Sequence, residues 1–139
     1  MSDISPPATH AGLLQRPLFA HLATVRPSGA PQSSVMWFDW DGSRLRFTHT
    51  KDRQKFVNLN KDPRVAVSIA DPDDPYRFLE VRGTVDAIDD DDEAASFYVS
   101  LQERYGKPRP IPPNHGRVVI SVRPTRFVAV DNGRLVVSD

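Results

Sequence analysis

A cluster of basic residues marks one short stretch of the sequence, FTHTKDRQKFVNLNKDPR, residues 47–64. Lys51, Arg53 and Lys55 stand where a strand-like pattern gives way to a helix-like one. The first turn of a helix has unpaired backbone N–H groups and a partial positive charge, which add to the charge of such side chains. Arginine can bind two phosphate oxygens in a fork, and lysine adds a mobile point charge. The stretch therefore suits a phosphate group.

The residues around these cations leave two interpretations open. Thr48 and Thr50 occupy alternate positions of the preceding strand and project to one side, where they can offer hydroxyl groups. His49 alternates to the opposite face, where packing or surface exposure is favoured over contact with a substrate. Asp52 and Asp62 interrupt the positive charge. A solvated basic surface is therefore the alternative to a phosphate site.

Several other chemistries lack the residues they need. The chain has no cysteine, which excludes disulfides and thiolate ligands. Its four histidines are scattered without a ligand spacing such as HxxxH, so no metal site is predicted. The acidic run at residues 89–93 lacks the spaced ligands and the glycine of a calcium loop. No Ser-His-Asp set is apparent, and no catalytic side chain is predicted.

The overall charge narrows the classes of partner. Eighteen Lys and Arg residues balance eighteen Asp and Glu residues, which removes the general electrostatic reason for binding nucleic acid or an anionic membrane. A nucleic-acid-binding barrel is therefore a weaker alternative. No apolar run is long enough to cross a bilayer. The first ten residues have neither the basic start nor the apolar stretch of a signal peptide, so a cytoplasmic protein is expected.

The basic stretch must be positioned by a fold built largely from strands. The length of 139 residues fits one domain, predicted as a flexible N-terminal segment over residues 1–9 and a single domain over residues 10–139. Thirteen prolines and seven glycines divide the chain into short pieces, which favours strands and turns over a helical bundle.

Local patterns indicate the order of the elements. Two β-rich runs, LFAHLATVR and PQSSVMWFDW, form a predicted hairpin, and Asp41-Gly42 suits a two-residue turn into RLRFTHT. A short helix follows in DRQKFVNLN and ends at Pro63. The later predicted strands are RVAVSIAD, YRFLEVRGTVDAI with a bulge at Gly83, RVVISV, RFVAV and an edge in RLVVS.

One longer helix is predicted in DDDDEAASFYVSLQERYG, with acidic residues at its positive N-terminal end. The complete pattern is mostly β, in the α+β class, with six to seven antiparallel strands and two to three short helices. A flat sheet of that size would leave open edges and a wet apolar face. A small, closed or nearly closed barrel is therefore the predicted architecture.

Four motifs together resemble the pyridoxamine 5′-phosphate oxidase-like superfamily. They are LATVRPSGAPQSSVMWFDWDG, the RxK pair of Arg53 and Lys55, NLNKDPRVAV, and RGTVDAI. The resemblance is narrower to its actinobacterial branch of small F420-dependent, or deazaflavin-dependent, oxidoreductases, and it runs from about Leu18 to Val130. Each motif alone is weak, whereas their order and spacing together are fairly specific.

The resemblance implies a split β-barrel of the FMN-binding type and a homodimer, with a flavin or deazaflavin in a groove at the subunit interface. Two equivalent sites follow from the two-fold symmetry. The implied cofactor-binding residues are Gln32, Ser34 and Val35 near the ring, Thr48 and Thr50 along the chain, Arg53, Lys55 and Asn58 at the phosphate, and Tyr76 from across the dimer.

The implied activity is that of an oxidoreductase in which reduced coenzyme F420 donates hydride to an unsaturated or oxidised small molecule. An FMN-dependent oxidoreductase of the same superfamily is the enzymatic alternative. Pyridoxamine 5′-phosphate oxidation itself is disfavoured, because the chain is short and lacks an evident C-terminal segment with paired Arg and His. A dimeric carrier or sensor that binds a flavin without turnover is the third possibility.

Overall fold

Eight strands and three helices follow one another in the computed structural model, which describes residues 3–138. The helices are α1 (Gly12–Gln15), α2 (Gln54–Lys61) and α3 (Ser96–Tyr105). The strands are β1 (Ala20–Val25), β2 (Pro31–Met36), β3 (Asp39–Trp40), β4 (Leu45–Thr50), β5 (Arg64–Asp71), β6 (Asp74–Asp90), β7 (Arg117–Asp131) and β8 (Arg134–Ser138). None of the helices in this part of the chain is long and apolar enough to span a membrane.

The strands form one antiparallel sheet in the order β2-β1-β5-β6-β7-β4-β3, and β8 pairs with β7. The two ends of this order do not pair with each other among the described residues, so the barrel is split rather than closed. The predicted mostly β, split-barrel fold is confirmed. The strand number exceeds the predicted six to seven, because the two-residue β3 is separate from β2.

Apolar side chains on alternate positions fill the interior of the curled sheet. Along β5, Val65, Val67 and Ile69 are buried while their neighbours are more exposed, as expected for a strand with one face on the core. Leu13 and Leu14 of α1 join the same core. The packing therefore closes one end of the sheet with a helix of only four residues.

The run predicted as one strand over residues 31–40 breaks at Trp37 and Phe38 into β2 and β3. The hydroxyl of Tyr105 accepts a hydrogen bond from the Phe38 N–H at 3.1 Å and donates one to the Leu18 carbonyl at 2.5 Å. A side chain from the end of α3 therefore takes a backbone donor of Phe38 that a continuous strand would use in its ladder.

The predicted bulge at Gly83 is confirmed, and it explains a wrong prediction nearby. The β6–β7 register shifts between Arg82 and Gly83. A Cβ atom on Gly83 would lie 2.6 Å from the Arg123 carbonyl oxygen, so the strands approach closely here. The two strands predicted around Pro124 are one continuous β7, because Pro124 pairs opposite the irregular position.

The helix predicted from Asp89 begins later, at Ser96. Asp89 and Asp90 belong instead to the end of β6, where they pair with β7. The Asp91 carboxylate accepts hydrogen bonds from the backbone N–H groups of Phe97 and Tyr98 at 3.2 and 3.1 Å. The acidic run therefore does stabilise the start of the helix, but from outside it.

The turn predicted at Asp41-Gly42 has four residues instead of two, because Trp40 pairs with Leu45. The Asp41 carboxylate accepts hydrogen bonds from the N–H groups of Ser43 and Arg44 and fixes this longer loop. Before the sheet, Ile4 of the predicted flexible segment packs against the core. Met1 and Ser2 of that segment, and Asp139, lie outside the described residues.

Candidate functional site

A groove of about 310 Å³ lies between β2 and β4, which do not pair with each other in the sheet. Residues from both strands, from the start of α2, from α3 and from β7 form its walls. The lining residues are Val35, Met36, Trp37, Thr48, His49, Arg53, Tyr98 and Arg117. Three of them, Val35, Thr48 and Arg53, were predicted from the sequence as cofactor-binding residues.

A tight junction between β4 and α2 places Arg53 at the groove. The Arg53 N–H donates a hydrogen bond to the Thr50 carbonyl at 3.2 Å, and the Arg53 carbonyl accepts one from the Phe56 N–H at 3.1 Å. Arg53 has extended backbone angles and is the N-cap residue of α2. The first turn of α2 has no acidic residue, so no carboxylate within that turn offsets the positive end of the helix.

Two of the predicted cations at this junction have no carboxylate partner. Among residues 3–138, Arg53 and Lys55 form no ion pair, whereas Lys51 pairs with Asp90 at 2.7 Å. Lys55 is half-buried, and burial, followed by repulsion from Arg53, lowers its pKa. A partly desolvated cation gains from an anion more than an exposed one does.

The Thr50 hydroxyl is engaged within the same loop, since it donates a hydrogen bond to the Asp52 carboxylate at 2.5 Å. Thr48 is buried in the groove wall, and its hydroxyl oxygen lies 3.5 Å from an Arg117 nitrogen. The two threonines project to the same side of β4, as predicted, but only Thr48 lines the groove.

His49 also lines the groove, although the sequence interpretation favoured packing or surface exposure for it. Burial lowers its pKa from 6.5 to about 4, and the positive charges of Lys55, Arg53 and Arg117 act in the same direction. The imidazole is therefore neutral at pH 7 and adds no charge to the site.

Arg117 and Tyr98 were missed by sequence reasoning. The Arg117 guanidinium lies 3.5 Å from the centroid of the Tyr98 ring, and Arg117 pairs with Thr50 in the β4–β7 ladder. No local motif links these residues, because 67 positions separate Thr50 from Arg117. Trp37 stacks on Tyr105 and forms part of the groove wall.

Gln32 and Asn58 lie in a polar network behind the groove. The Asn58 amide nitrogen donates to the Thr24 hydroxyl at 3.0 Å and to the Gln32 side-chain oxygen at 2.9 Å. Its oxygen accepts a hydrogen bond from Gln54 at 2.8 Å. Because Asn58 is fully buried, its role is to connect α2 with β1 and β2, which fixes the direction in which α2 starts.

The Ser34 hydroxyl is buried and has no hydrogen-bond partner. Its residue belongs to β2, which is at one end of the sheet order and pairs only with β1 among the described strands. The outer edge of β2 therefore presents backbone groups next to Val35, whose side chain is exposed. This arrangement fits contacts to a ring by the backbone of residues 32–35 rather than by their side chains.

Lys55 and Tyr76 complete the predicted set, and neither lines the groove within one chain. Lys55 lies close enough to His49 for its charge to lower the pKa of His49. It also lies close enough to Arg53 for repulsion between the two cations to lower the pKa of Lys55. Tyr76 is 73% exposed and belongs to the start of β6, next to the Asp131 end of β7. Arg117 is at the other end of β7, so Tyr76 is remote from the groove of its own chain.

A second cavity, of about 550 Å³, adjoins the groove and shares Arg117 with it. His115 lines this second cavity. Its two ring nitrogens lie 2.8 Å from the Asp92 carbonyl and 2.9 Å from the Arg117 N–H. His115 therefore holds the loop before β7 in place. In residues 3–138 no group of three or more acidic or histidine side chains could hold a metal ion.

The groove fits a phosphate-bearing planar cofactor on three observations. Cations without carboxylate partners lie at the start of α2, an open strand edge runs along one wall, and Trp37 provides an aromatic wall. Planar cofactors bind in mostly apolar slots with few polar contacts. The donor set at α2 is of the kind that binds phosphate.

Comparison with solved structures gives relatives of similar length. A protein named F420 reductase is 54% identical, with a TM-score of 0.82, and the alignment covers 87% of this chain and 97% of that protein. A conserved hypothetical protein, Rv2991 from Mycobacterium tuberculosis, is 28% identical, with a TM-score of 0.73 and coverage of 95% and 89%. HupZ from Group A Streptococcus, at 19% identity, a TM-score of 0.68 and coverage of 94% and 98%, shares the fold.

A search of functionally curated proteins found no match. The sequence family described as "Pyridoxamine 5'-phosphate oxidase" matches residues 6–131, which is most of the chain. This match covers β1 to β7, all three helices and every lining residue of the groove. The chain belongs to the pyridoxamine 5′-phosphate oxidase family, as the sequence motifs predicted.

Proposed function

We propose that this protein is an oxidoreductase in which reduced coenzyme F420 transfers hydride to an unsaturated or oxidised small molecule. The observation that carries the proposal is the groove between β2 and β4, with Arg53 and Lys55 free of carboxylate partners at the start of α2. The 54% identity to a protein named F420 reductase supports the choice of the deazaflavin.

Five of the predicted residues, Val35, Thr48, Arg53, Lys55 and Asn58, have a part in binding the cofactor within one chain. Arg53 and Lys55 hold the phosphate, and Thr48 lines the path of the chain between phosphate and ring. The backbone of β2 around Val35 contacts the polar edge of the ring. Asn58 acts through its hydrogen bonds, because it orients α2 and so places both cations.

The cofactor supplies the hydride, and the protein supplies position and a site with little water. Trp37 and Tyr98 form apolar walls of the groove, which limit the access of water to a bound ring. Because His49 is neutral, the positive charge around it comes from Lys55, Arg53 and Arg117. No side chain is assigned as a general acid or base.

The proposed assembly is a homodimer that places a partner's Tyr76 beside the ring. The outer face of β2, β1 and β5 carries small side chains, Ala23, Ala66 and Ser68 among them, beside the 58% exposed Val35. A sheet face with small, uncharged side chains of this kind suits contact with a second copy. The high exposure of Tyr76 within one chain fits the same arrangement.

FMN is the second candidate cofactor, because the family match is to pyridoxamine 5′-phosphate oxidase. FMN also carries a phosphate and a planar ring, so the same residues would hold it. A carrier without turnover would use the same groove. These alternatives differ in which cofactor binds and in whether an acceptor is reduced.

The test is a side-by-side titration of the purified protein with F420 and FMN, followed by cofactor fluorescence. Tight binding of F420, lost by tenfold or more in Arg53→Ala/Lys55→Ala, is expected. Lys51→Ala is the matched control, because Lys51 is already paired with Asp90. Unchanged F420 affinity in the double variant would contradict the proposed phosphate site.

Two further measurements separate the remaining alternatives. Yellow FMN bound to the purified protein, with no response to added F420, would favour the FMN enzyme. Good F420 binding without oxidation of the reduced cofactor by a broad panel of acceptors would favour a carrier. Light scattering in solution tests the dimer, and a monomer at assay concentration would remove the proposed role of Tyr76.

A further inference from the structure

Arg117 occupies a position between the groove and the neighbouring cavity, and it lines both. It is the first residue of β7 and lies opposite Thr50 in the β4–β7 ladder. This register brings it to the same end of β4 from which the chain enters α2. Arg117 and Arg53 therefore both line the groove near this end of β4.

The Arg117 guanidinium is held without a carboxylate. Its centre lies 3.5 Å from the Tyr98 ring centroid, and one of its terminal nitrogens lies 3.5 Å from the Thr48 hydroxyl. Within residues 3–138 it forms no ion pair. Stacking on an aromatic ring restrains a guanidinium and leaves N–H donors at its edge for another acceptor.

Arg46, on β4, provides a contrast on the same face of the sheet. It also lies over an aromatic ring of α3, 5.0 Å from the Phe97 centroid. Its guanidinium, however, forms two hydrogen bonds to the Asp39 carboxylate, at 2.9 and 2.7 Å. The donors of Arg46 are used by that carboxylate, whereas those of Arg117 at the groove are available.

Arg117 and Arg53 both line the groove beside His49, and their charges, with that of Lys55, lower the pKa of His49. Lys55 and Arg53 reach His49 from the start of α2, Arg117 reaches it from β7, and Asp52 is the acidic residue that opposes them. Three cations facing one neutral imidazole repel one another in the absence of an anion. An anionic phosphate group relieves this repulsion, and three surrounding donors can share its oxygens.

We propose that Arg117 is a third phosphate-binding residue, which stacking on Tyr98 holds in position before the cofactor binds. The inference rests on the proposed function and adds a cation that the family motif in residues 53–55 does not include. Arg117 also closes the groove toward the larger cavity, so the phosphate is bound at the boundary between the two spaces.

The test compares FMN with riboflavin, which has the same ring but no phosphate, by fluorescence titration at constant salt. The ratio of the two affinities isolates the contribution of the phosphate. The expected ratio for the unsubstituted protein is about 100 or more, and Arg117→Gln lowers it about tenfold while riboflavin affinity stays within about twofold. Arg117→Lys keeps the charge without the planar fork and gives an intermediate ratio.

Arg46→Gln is the matched control, because it removes a stacked arginine from the same face but leaves the affinity ratio unchanged. An unchanged ratio in Arg117→Gln would overturn this inference and leave the proposed function intact. A ratio near one in the unsubstituted protein would overturn the phosphate site at α2 and therefore both proposals. If FMN does not bind, the comparison of F420 with its phosphate-free deazariboflavin core decides the inference by the same ratio. Equal losses for FMN and riboflavin in Arg117→Gln and Arg117→Lys would show a purely structural role and would also overturn the inference.

Discussion

The indole of Trp37 stacks on the phenol ring of Tyr105, with centroids 5.0 Å apart and ring planes inclined by 10°. The Tyr105 hydroxyl is bonded to the backbone of Leu18 and Phe38, so the stack has a fixed base. Burial raises the pKa of Tyr105, and the hydroxyl stays protonated at neutral pH. One wall of the groove is therefore positioned by the last residue of α3, which does not itself line the groove.

Tyr105→Phe should keep the stack and lose both backbone hydrogen bonds. The Phe38 N–H and Leu18 carbonyl then lack their partner, which is expected to cost about 1–3 kcal/mol in the free energy of unfolding. Urea unfolding followed by tryptophan fluorescence measures this. Tyr76→Phe, at a 73% exposed position, should change stability by less than about 0.5 kcal/mol. Equal stability of the two variants would contradict the prediction.

Asn58→Ala should destabilise the protein by about 2–4 kcal/mol, because it leaves the buried Thr24 hydroxyl and the Gln32 side chain without a partner. Gln54→Ala removes one hydrogen bond of the same network and should cost about 1 kcal/mol. Thermal and urea unfolding measure both. If Asn58→Ala were the milder of the two, the network would not be what fixes α2 to β2.

The pKa of His49, about 4, should rise toward 6.5 when a nearby cation is removed, since burial and then Lys55 are the largest causes of its depression. Lys55→Met keeps the apolar stem and removes the charge, and Lys51→Met is the control. Two-dimensional NMR of the imidazole across pH 3–8 measures the change. Identical titration curves for the two variants would place Lys55 away from His49.

Stability should depend on pH through the same histidine. Between pH 6.5 and about 4 the unfolded chain binds a proton at His49 that the folded chain does not, so the free energy of unfolding falls as the pH falls. Solvent screening of the half-buried ring limits the effect to about 1–2 kcal/mol.

His49→Asn should flatten the stability curve in that window, measured by urea unfolding at several pH values. Hydrogen bonds to Arg64 lower the pKa of Asp62 to about 2. The loss of stability that accompanies protonation of Asp62 therefore occurs below pH 4, and it should be the same in both proteins. A curve for His49→Asn that is parallel to the original from pH 7 to pH 4 would contradict this assignment.

Gly83→Ala should be strongly destabilising, because the new methyl group would lie 2.6 Å from the Arg123 carbonyl oxygen and 2.9 Å from a Val122 methyl. The strands must separate locally, at an expected cost of about 2–3 kcal/mol. Gly12→Ala is the control, since nothing lies within 4 Å of its Cβ position in α1. Its stability should stay equal or rise by up to about 1 kcal/mol. Thermal unfolding of both variants decides the question.

Local patterns in the sequence were sufficient for most elements and for the core of the site. Alternation of apolar residues predicted the strands, Pro63 marked the end of α2, and Gly83 marked a bulge. The RxK spacing predicted two cations at a helix start, where they lie. These features depend on neighbours within a few positions, and such neighbours are visible in the sequence.

Contacts between distant residues were decided only by the tertiary structure. Tyr105 binds the backbone N–H of Phe38, which lies 67 positions earlier in the sequence, and so interrupts the strand after β2. Arg117 lies at the groove because β7 pairs with β4. His49 was expected to lie away from the site because it alternates with Thr48, yet both residues line the groove.

The sequence by itself determined the family, the mostly β class and the charge at the start of α2, because each depends on residue type and on short-range spacing. The tertiary structure decided which cations stay free of carboxylates, which aromatic rings form the groove walls and which amide holds α2 in place. The physical reason is that ion pairing, stacking and burial depend on distances across the sheet, and strand register sets those distances.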